Sequence, residues 1–253
     1  MKKNILFLLL ATLLITSCSK EENNENPNSV TLKFSHFWDA TTVTKADFNT
    51  IKFTNKNGEK VSLERYRYLL SNIYLLSKKS NNRITLGDYL LIDLGEEQNL
   101  SSTTQKEIPI GEYSLHFTFG FKDADNIDGV YNNLNSANFN VPGMLGGGYH
   151  YMQFDGKYTS SSTSSASGFN YHAIRAVDRT DPSNLKFKDT SFDVILDNIS
   201  IDQNNNTVTV KMNIAEWFKN PEKWDLNVLN QKLMPNYDAQ ILMNKNGKSV
   251  FGL

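Results

Sequence analysis

The sequence predicts an all-β protein: an antiparallel β-sandwich with long loops and one or two short C-terminal helices. Three observations carry this. Short runs of alternating apolar and polar residues recur along the chain. Turn signals such as Asn55-Lys56-Asn57-Gly58 separate them. Fifteen Phe, eleven Tyr and three Trp in 253 residues are enough bulky apolar side chains for a core. Short strands punctuated by turns belong to a sandwich rather than to an alternation of strands and helices.

Taken in order, Val30, Leu32, Phe34 and His36 share one side of a first strand, with Thr31, Lys33 and Ser35 on the other. A second strand spans 50–53 and ends at the Asn55 turn. The apolar stretches 67–76 and 89–94 suit core strands. Tyr113, Leu115, Phe117, Phe119 and Phe121 alternate with Ser114, His116, Thr118 and Gly120. Further strands are expected at 149–154, 169–173, 187–196 and 207–214. Only 214–218 and 227–233 look helical, and Pro221 stops the first. The Ser/Thr-rich segment 159–168 reads as a surface loop. Asp123-Ala124-Asp125-Asn126-Ile127-Asp128-Gly129 superficially resembles a calcium loop, but its third acid and its glycine each sit one place too late. Gly146-Gly147-Gly148 is expected to let the chain turn or approach a neighbour closely.

Ahead of the strands, Lys2 and Lys3 precede an apolar run over 5–15 that is too short to span a bilayer. Ile15-Thr16-Ser17-Cys18 follows with the spacing of a bacterial lipobox. Cys18 is the one cysteine in the sequence, so a disulfide within the chain is excluded, and acylation accounts for the lone thiol. The expected organisation is a lipoprotein signal peptide over 1–17, a disordered tether over 18–29 and one β-sandwich domain over 30–253. Ser19-Lys20-Glu21-Glu22-Asn23 resembles the lysine-then-acids signal of surface-exported lipoproteins, which gives an outer-membrane address held by a lipid anchor. A formal net charge of −1 leaves no electrostatic footprint for nucleic acid. No Gly-x-Ser-x-Gly elbow and no phosphate-binding glycine loop is present, so no enzyme is expected.

Several segments, in a shared order over about residues 30–251, carry a family resemblance. They are Leu32-Lys33-Phe34-Ser35-His36, the Asn55–Gly58 turn with Leu70-Ser71-Asn72-Ile73, and Ile110-Gly111-Glu112-Tyr113. After these come Gly148-Tyr149-His150-Tyr151-Met152-Gln153-Phe154-Asp155-Gly156, Phe169-Asn170-Tyr171-His172, and Asn246-Gly247-Lys248-Ser249-Val250-Phe251. The chain resembles the MbnP-like family of bacterial envelope proteins related to the copper-binding partner of methanobactin systems. The resemblance implies copper as cofactor, with a metal-handling or other envelope protein as partner. It departs at one place. Family members carry a tryptophan-containing stretch before the glycine–tyrosine pair, whereas here Met144 leads into Leu145-Gly146-Gly147-Gly148. A kynurenine ligand derived from that tryptophan is therefore not carried over.

Copper favours imidazole nitrogen, helped by thioether sulfur when reduced. His36 closes an apolar strand face, His150 shares a face with Met152 and Phe154, and His172 closes the Phe-Asn-Tyr-His segment. Each also reads as a histidine hydrogen-bonded to backbone at the rim of a core. His36 and His172 match histidine positions of the resemblance, and His150 is a companion. His116 lies on a polar strand face. With no H-x-H pair, a site must be assembled from separate strands. The expectation is an envelope lipoprotein that binds copper through His36, His172 and His150. Its rival is a metal-free surface module for a glycan, peptide or partner protein.

Overall fold

The computed structural model describes residues 29–160, 165–204 and 206–253. The expected signal peptide, Cys18, the tether up to residue 28 and the centre of the Ser/Thr-rich loop lie outside the described residues. The first half of the chain forms strands β1 (Thr31–Trp38), β2 (Thr41–Val43), β3 (Phe53–Thr54), β4 (Lys60–Val61) and β5 (Arg65–Ser77). These are followed by β6 (Arg83–Asp93), β7 (Ser101–Thr103) and β8 (Gly111–Phe119), then the short helix α1 (Asn132–Ser136). Next come β9 (Met152–Thr159), β10 (Ser167–Ala173), β11 (Ala176–Asp178), β12 (Lys186–Lys188), β13 (Phe192–Ile201) and β14 (Thr207–Asn213). A 3-10 turn at Ile214–Phe218, helix α2 (Tyr237–Gly247) and β15 (Phe251–Gly252) close the chain.

The mainly β prediction holds, and most strands fall where alternation placed them. One sheet has the order β15-β14-β1-β2, with β7 also on β1. The larger sheet has the order β13-β8-β5-β9-β4-β3, with β6 on β5 and β10 on β9. β6 runs along one edge of β5, so β9 and β8 share its other edge, β9 against Arg65–Tyr68 and β8 from Leu70 onward. The first described strand meets one near the end of the chain, because β1 pairs with β14 in parallel through all of Thr31–Phe37. The helix expected at 227–233 is instead a run of turns, and the C-terminal helix is α2.

The sheets pack face to face. Leu32, Phe34, His36 and Trp38 of β1 are all buried, and the His36 ring meets the rings of Tyr66 and Tyr68 from the other sheet at 6.1 and 5.7 Å. The core is aromatic: Tyr66, Phe154, Phe169, Tyr171, Trp217, Phe218 and Trp224 are fully enclosed. Edge-to-face packing dominates, as between Tyr66 and Phe154 at 5.0 Å and between Phe154 and Phe169 at 5.1 Å. That geometry suits ring quadrupoles.

The triple glycine does what its composition predicts. Gly146, Gly147 and Gly148 all have positive φ, at 94°, 64° and 81°. Such backbone is open to glycine and costly for other residues. A Cβ on Gly148 would also lie 2.6 Å from Asn126 Oδ1. Asn126 accepts from Tyr149 N–H, and Asp128 from Gly148 N–H, so the acidic loop 123–129 serves to fold the chain beside His150. Among the described residues, no helix is long and apolar enough to cross a membrane.

Candidate metal centre

Strand alternation decides which face each candidate occupies. In β5, β9 and β10 the residues Tyr66, Tyr68, Met152, Phe154, Phe169, Tyr171 and Ala173 enter the core. Their neighbours Arg65, Arg67, Gln153, Asp155, Asn170 and His172 therefore line the opposite face. Register stacks them across strands: Arg67 opposite Gln153 opposite His172, and Arg65 opposite Asp155 opposite Asn170. Arg67 Nε donates to Gln153 Oε1 at 2.7 Å, Arg65 lies 3.4 Å from Asp155, and Asn170 Nδ2 donates to Asp155 at 2.7 Å.

His150 and His172 meet on this outer face, with ring centroids 5.3 Å apart and planes at 83°. His36 does not join them. It lies between the sheets, 3.1 Å from the Tyr68 hydroxyl through Nε2, on the other side of the β5–β9 layer. Burial pushes His36 down from 6.5 to about 4, so it is a neutral core residue at ordinary pH. His116 is set apart as well, stacked on Tyr74 at 4.7 Å and bonded to Ser114.

The partners of the two clustered histidines fix their tautomers. His150 Nδ1 lies 3.0 Å from the Phe139 carbonyl, which only accepts, and 3.3 Å from Gln153 Nε2, which only donates; the carbonyl contact is the shorter and favours the proton on Nδ1. Its Nε2 is then a bare lone pair, and it faces the Met234 sulfur at 3.3 Å. Burial, then the neighbouring His172, pushes His150 down to about 3. His172 Nε2 donates to Asp155 Oδ1 at 2.7 Å. A carboxylate accepts only, so Nδ1 is left as the lone-pair nitrogen of His172. Burial pushes the Asp155 carboxyl up, but the hydrogen bonds from His172 and Asn170, with the charge of Arg65, together hold it below its usual range. Helix α2 braces the same place, Gln240 Nε2 donating to the His172 carbonyl at 2.9 Å.

This arrangement suits a metal ion chemically. One imidazole held by a carbonyl and another held by a carboxylate is the usual support for metal-binding histidine, because the outer partner fixes tautomer and ring orientation. His150 Nε2 and Met234 Sδ are both lone-pair donors and have no proton to share. Among the described residues no three His, Cys, Asp or Glu side chains form a metal-holding group. Two imidazoles and one thioether lie side by side, with His150 Nε2 3.3 Å from Met234 Sδ and the His150 and His172 ring centroids 5.3 Å apart. Met234 has no motif around it and lies 84 positions from His150. The turns from Asp225 to Met234 bring it in, with the Asn230 carbonyl accepting from Asn170 N–H at 2.8 Å. The side chains of His172 and Asp155 keep 13% and 18% of their exposure, so solvent reaches the cluster.

Fold and cluster define a mainly antiparallel β protein that gathers nitrogen and sulfur donors on the outer face of one sheet. The family model of MbnP matches residues 27–236, most of the chain, and the protein belongs to the MbnP family. Among solved structures, MbnP from Methylosinus trichosporium is similar over 77% of this chain and 78% of that one, at 13% identity and a TM-score of 0.48. No curated protein matches the sequence.

Proposed function

We propose that this protein is a lipid-anchored envelope protein that binds copper and serves in metal capture or handling, without catalytic turnover. Family membership supports copper as the ion. The observation that carries the site is the approach of the His150 Nε2 lone pair to the Met234 thioether beside His172. Nitrogen with thioether sulfur is a donor set for copper, its reduced state above all. The proposal therefore assigns the ion to His150, His172 and Met234, supported by Asp155 and the Phe139 carbonyl, and gives His36 a structural role. The lipobox ending at Cys18 supports attachment to the outer membrane, with the acidic stretch after it as the signal for surface exposure.

Titration of the purified protein with copper under reducing conditions tests the site. About one ion should bind, since the donors converge at one place. His150→Ala, His172→Ala and Met234→Leu should each weaken binding at least about tenfold, as loss of a ligand or its support does. His36→Gln and His116→Ala should leave affinity unchanged. No saturable binding by the wild type would remove the metal reading. Loss of fatty-acid labelling in Cys18→Ser tests the anchor separately.

A second reading has its own observation. A cleft of about 330 Å³ is lined by Asn72, Asp88, Tyr89, Phe121, Asp125 and Tyr131. Asn72 opens it, at a positive φ of 54°, where the pairing of β5 with both β6 and β8 is interrupted. Such an interruption re-aims the side chains beside it. Aromatic walls with carboxylates and an amide suit a glycan, which direct binding to an oligosaccharide panel checks.

A further inference from the structure

The two sheets part at one edge of the sandwich, where β6 of the larger sheet faces β7 of the smaller. An apolar cavity of about 180 Å³ opens there. Its inner walls are Leu32 of β1, Val30 just before it, and Ile73 of β5, all buried. Leu86 and Leu90 of β6 complete the apolar lining and are only partly buried. The space has a cause in the sequence. Ser102 of β7 stands opposite Leu32 in register, where close packing calls for a larger apolar residue, and it leaves room beside that leucine. On the other side, Gly87 pairs with Ile73 but Thr85 pairs with Tyr74, so Leu86 is an extra residue that bends the strand. A Cβ on Gly87 would meet nothing within 4 Å, so no side chain covers the mouth at that point.

The rim differs from the floor. Thr104 lines the cavity, and its Oγ1 accepts from Lys106 N–H at 3.1 Å. Lys106 Nζ donates to the Thr85 carbonyl at 2.8 Å, next to Leu86 in the chain, which brings the ammonium to the mouth. Among the described residues, no acid forms an ion pair with Lys106 and nothing bonds the Ser102 hydroxyl. An apolar floor that ends at two hydroxyls and an unpaired ammonium is complementary to a molecule apolar at one end and anionic at the other.

We propose that this cavity binds a free fatty acid, its alkyl end between the sheets and its carboxylate at Lys106. Size sets the length of chain. An apolar cavity of roughly 150 Å³ stays dry and accepts a benzene-sized ligand, so this one holds about six carbons. The carboxylate is then left at the rim, where the ammonium and the hydroxyls of Ser102 and Thr104 donate to it. The cavity shares no residue with the histidine cluster, so the proposal stands apart from the copper reading.

Calorimetric titration of the purified protein with octanoate tests this. One saturable site is expected. Butanoate should bind at least about tenfold more weakly, since each buried methylene is worth about fourfold in affinity. Ser102→Phe, which fills the cavity, should lose octanoate binding with the far-UV circular dichroism unchanged. If Ser102→Phe does not fold, Ser102→Leu supplies the same comparison. Lys106→Gln should weaken octanoate about twofold to fivefold, as loss of an exposed ion pair does, and leave octanol unaffected. Cys18→Ser, which removes the expected lipid, should bind octanoate as the wild type does. Tighter binding in that variant would overturn the free acid as ligand and assign the cavity to the chain's own lipid. Absence of saturable octanoate binding by the wild type and Cys18→Ser alike, or undiminished binding in both Ser102 variants, overturns the proposal.

Discussion

His36 shows how one residue can read as a ligand in sequence and as core in three dimensions. It ends the apolar face of β1 as alternation requires, and that same alternation carries it between the sheets, away from His150 and His172. Its burial has a measurable consequence. The unfolded chain takes up the proton near pH 6.5, whereas the folded chain resists it down to about 4. Stability is therefore full above about pH 6.5 and falls as pH drops toward 4, by up to about 3 kcal/mol from this group. Urea unfolding at stepped pH should show this loss, and His36→Gln, which does not titrate, should flatten that part of the profile. An equally steep profile in the variant would assign the loss to other groups. The pairing of His150 with His172 was hidden for a different reason. It depends on the register that sets His172 opposite Gln153, which no spacing in the chain reveals. Met234 was less legible still, since a methionine followed by proline carries no ligand signature.

At the scale of elements, the strands were legible and the last helix was not, and the cause is physical. Strands such as β8 bury alternate aromatic side chains, which leaves a period of two in the sequence. Helix α2 turns Ala239, Gln240, Met243, Asn246 and Gly247 inward, a small and amide-rich face that has no apolar period. Its N-cap, Asn236, accepts from Ala239 N–H. Its buried amides bond to loops where apolar side chains would pack. Asn246 donates to the carbonyls of Trp217 and Glu222, both at 2.8 Å, and accepts from Glu222 N–H at 3.1 Å. Gly247 allows the close approach, since a Cβ there would lie 2.5 Å from the Phe192 ring and 2.8 Å from Trp217. Asn246→Ala should therefore cost about 1–3 kcal/mol, because three backbone groups of Trp217 and Glu222 each lose a bond, the Trp217 carbonyl keeping the Tyr171 hydroxyl. Chemical denaturation would register this as a lower midpoint with an unchanged slope. A loss below about 0.5 kcal/mol would mean that solvent takes over those partners.

Across the whole molecule, the two ends of the chain close the same sheet. β1 is flanked by β14 on one side and by β7 and β2 on the other, so the smaller sheet needs segments from both ends of the domain. β15 then lies on β14 and sends Phe251 across the interface to Phe117 at 5.0 Å, Phe119 at 6.1 Å and Tyr68 at 6.2 Å. Tyr68 is the residue that holds His36 from the other side, so the last residues of the chain and the first strand share one core. Pairings this distant in sequence form late, because loop closure must precede them, and they tie the sheets into one cooperative unit. Removing residues 248–253 should thus lower stability everywhere rather than loosen one edge. Loss of a buried phenylalanine alone is worth about 3–5 kcal/mol. Tryptophan fluorescence reports the core around Trp38, Trp217 and Trp224, and far-UV circular dichroism reports both sheets. In the truncated chain the two signals should move together to a lower midpoint. An early transition in one signal with the other unmoved would mean that the smaller sheet unfolds on its own, and the histidine cluster on the larger sheet would then be independent of residues 248–253.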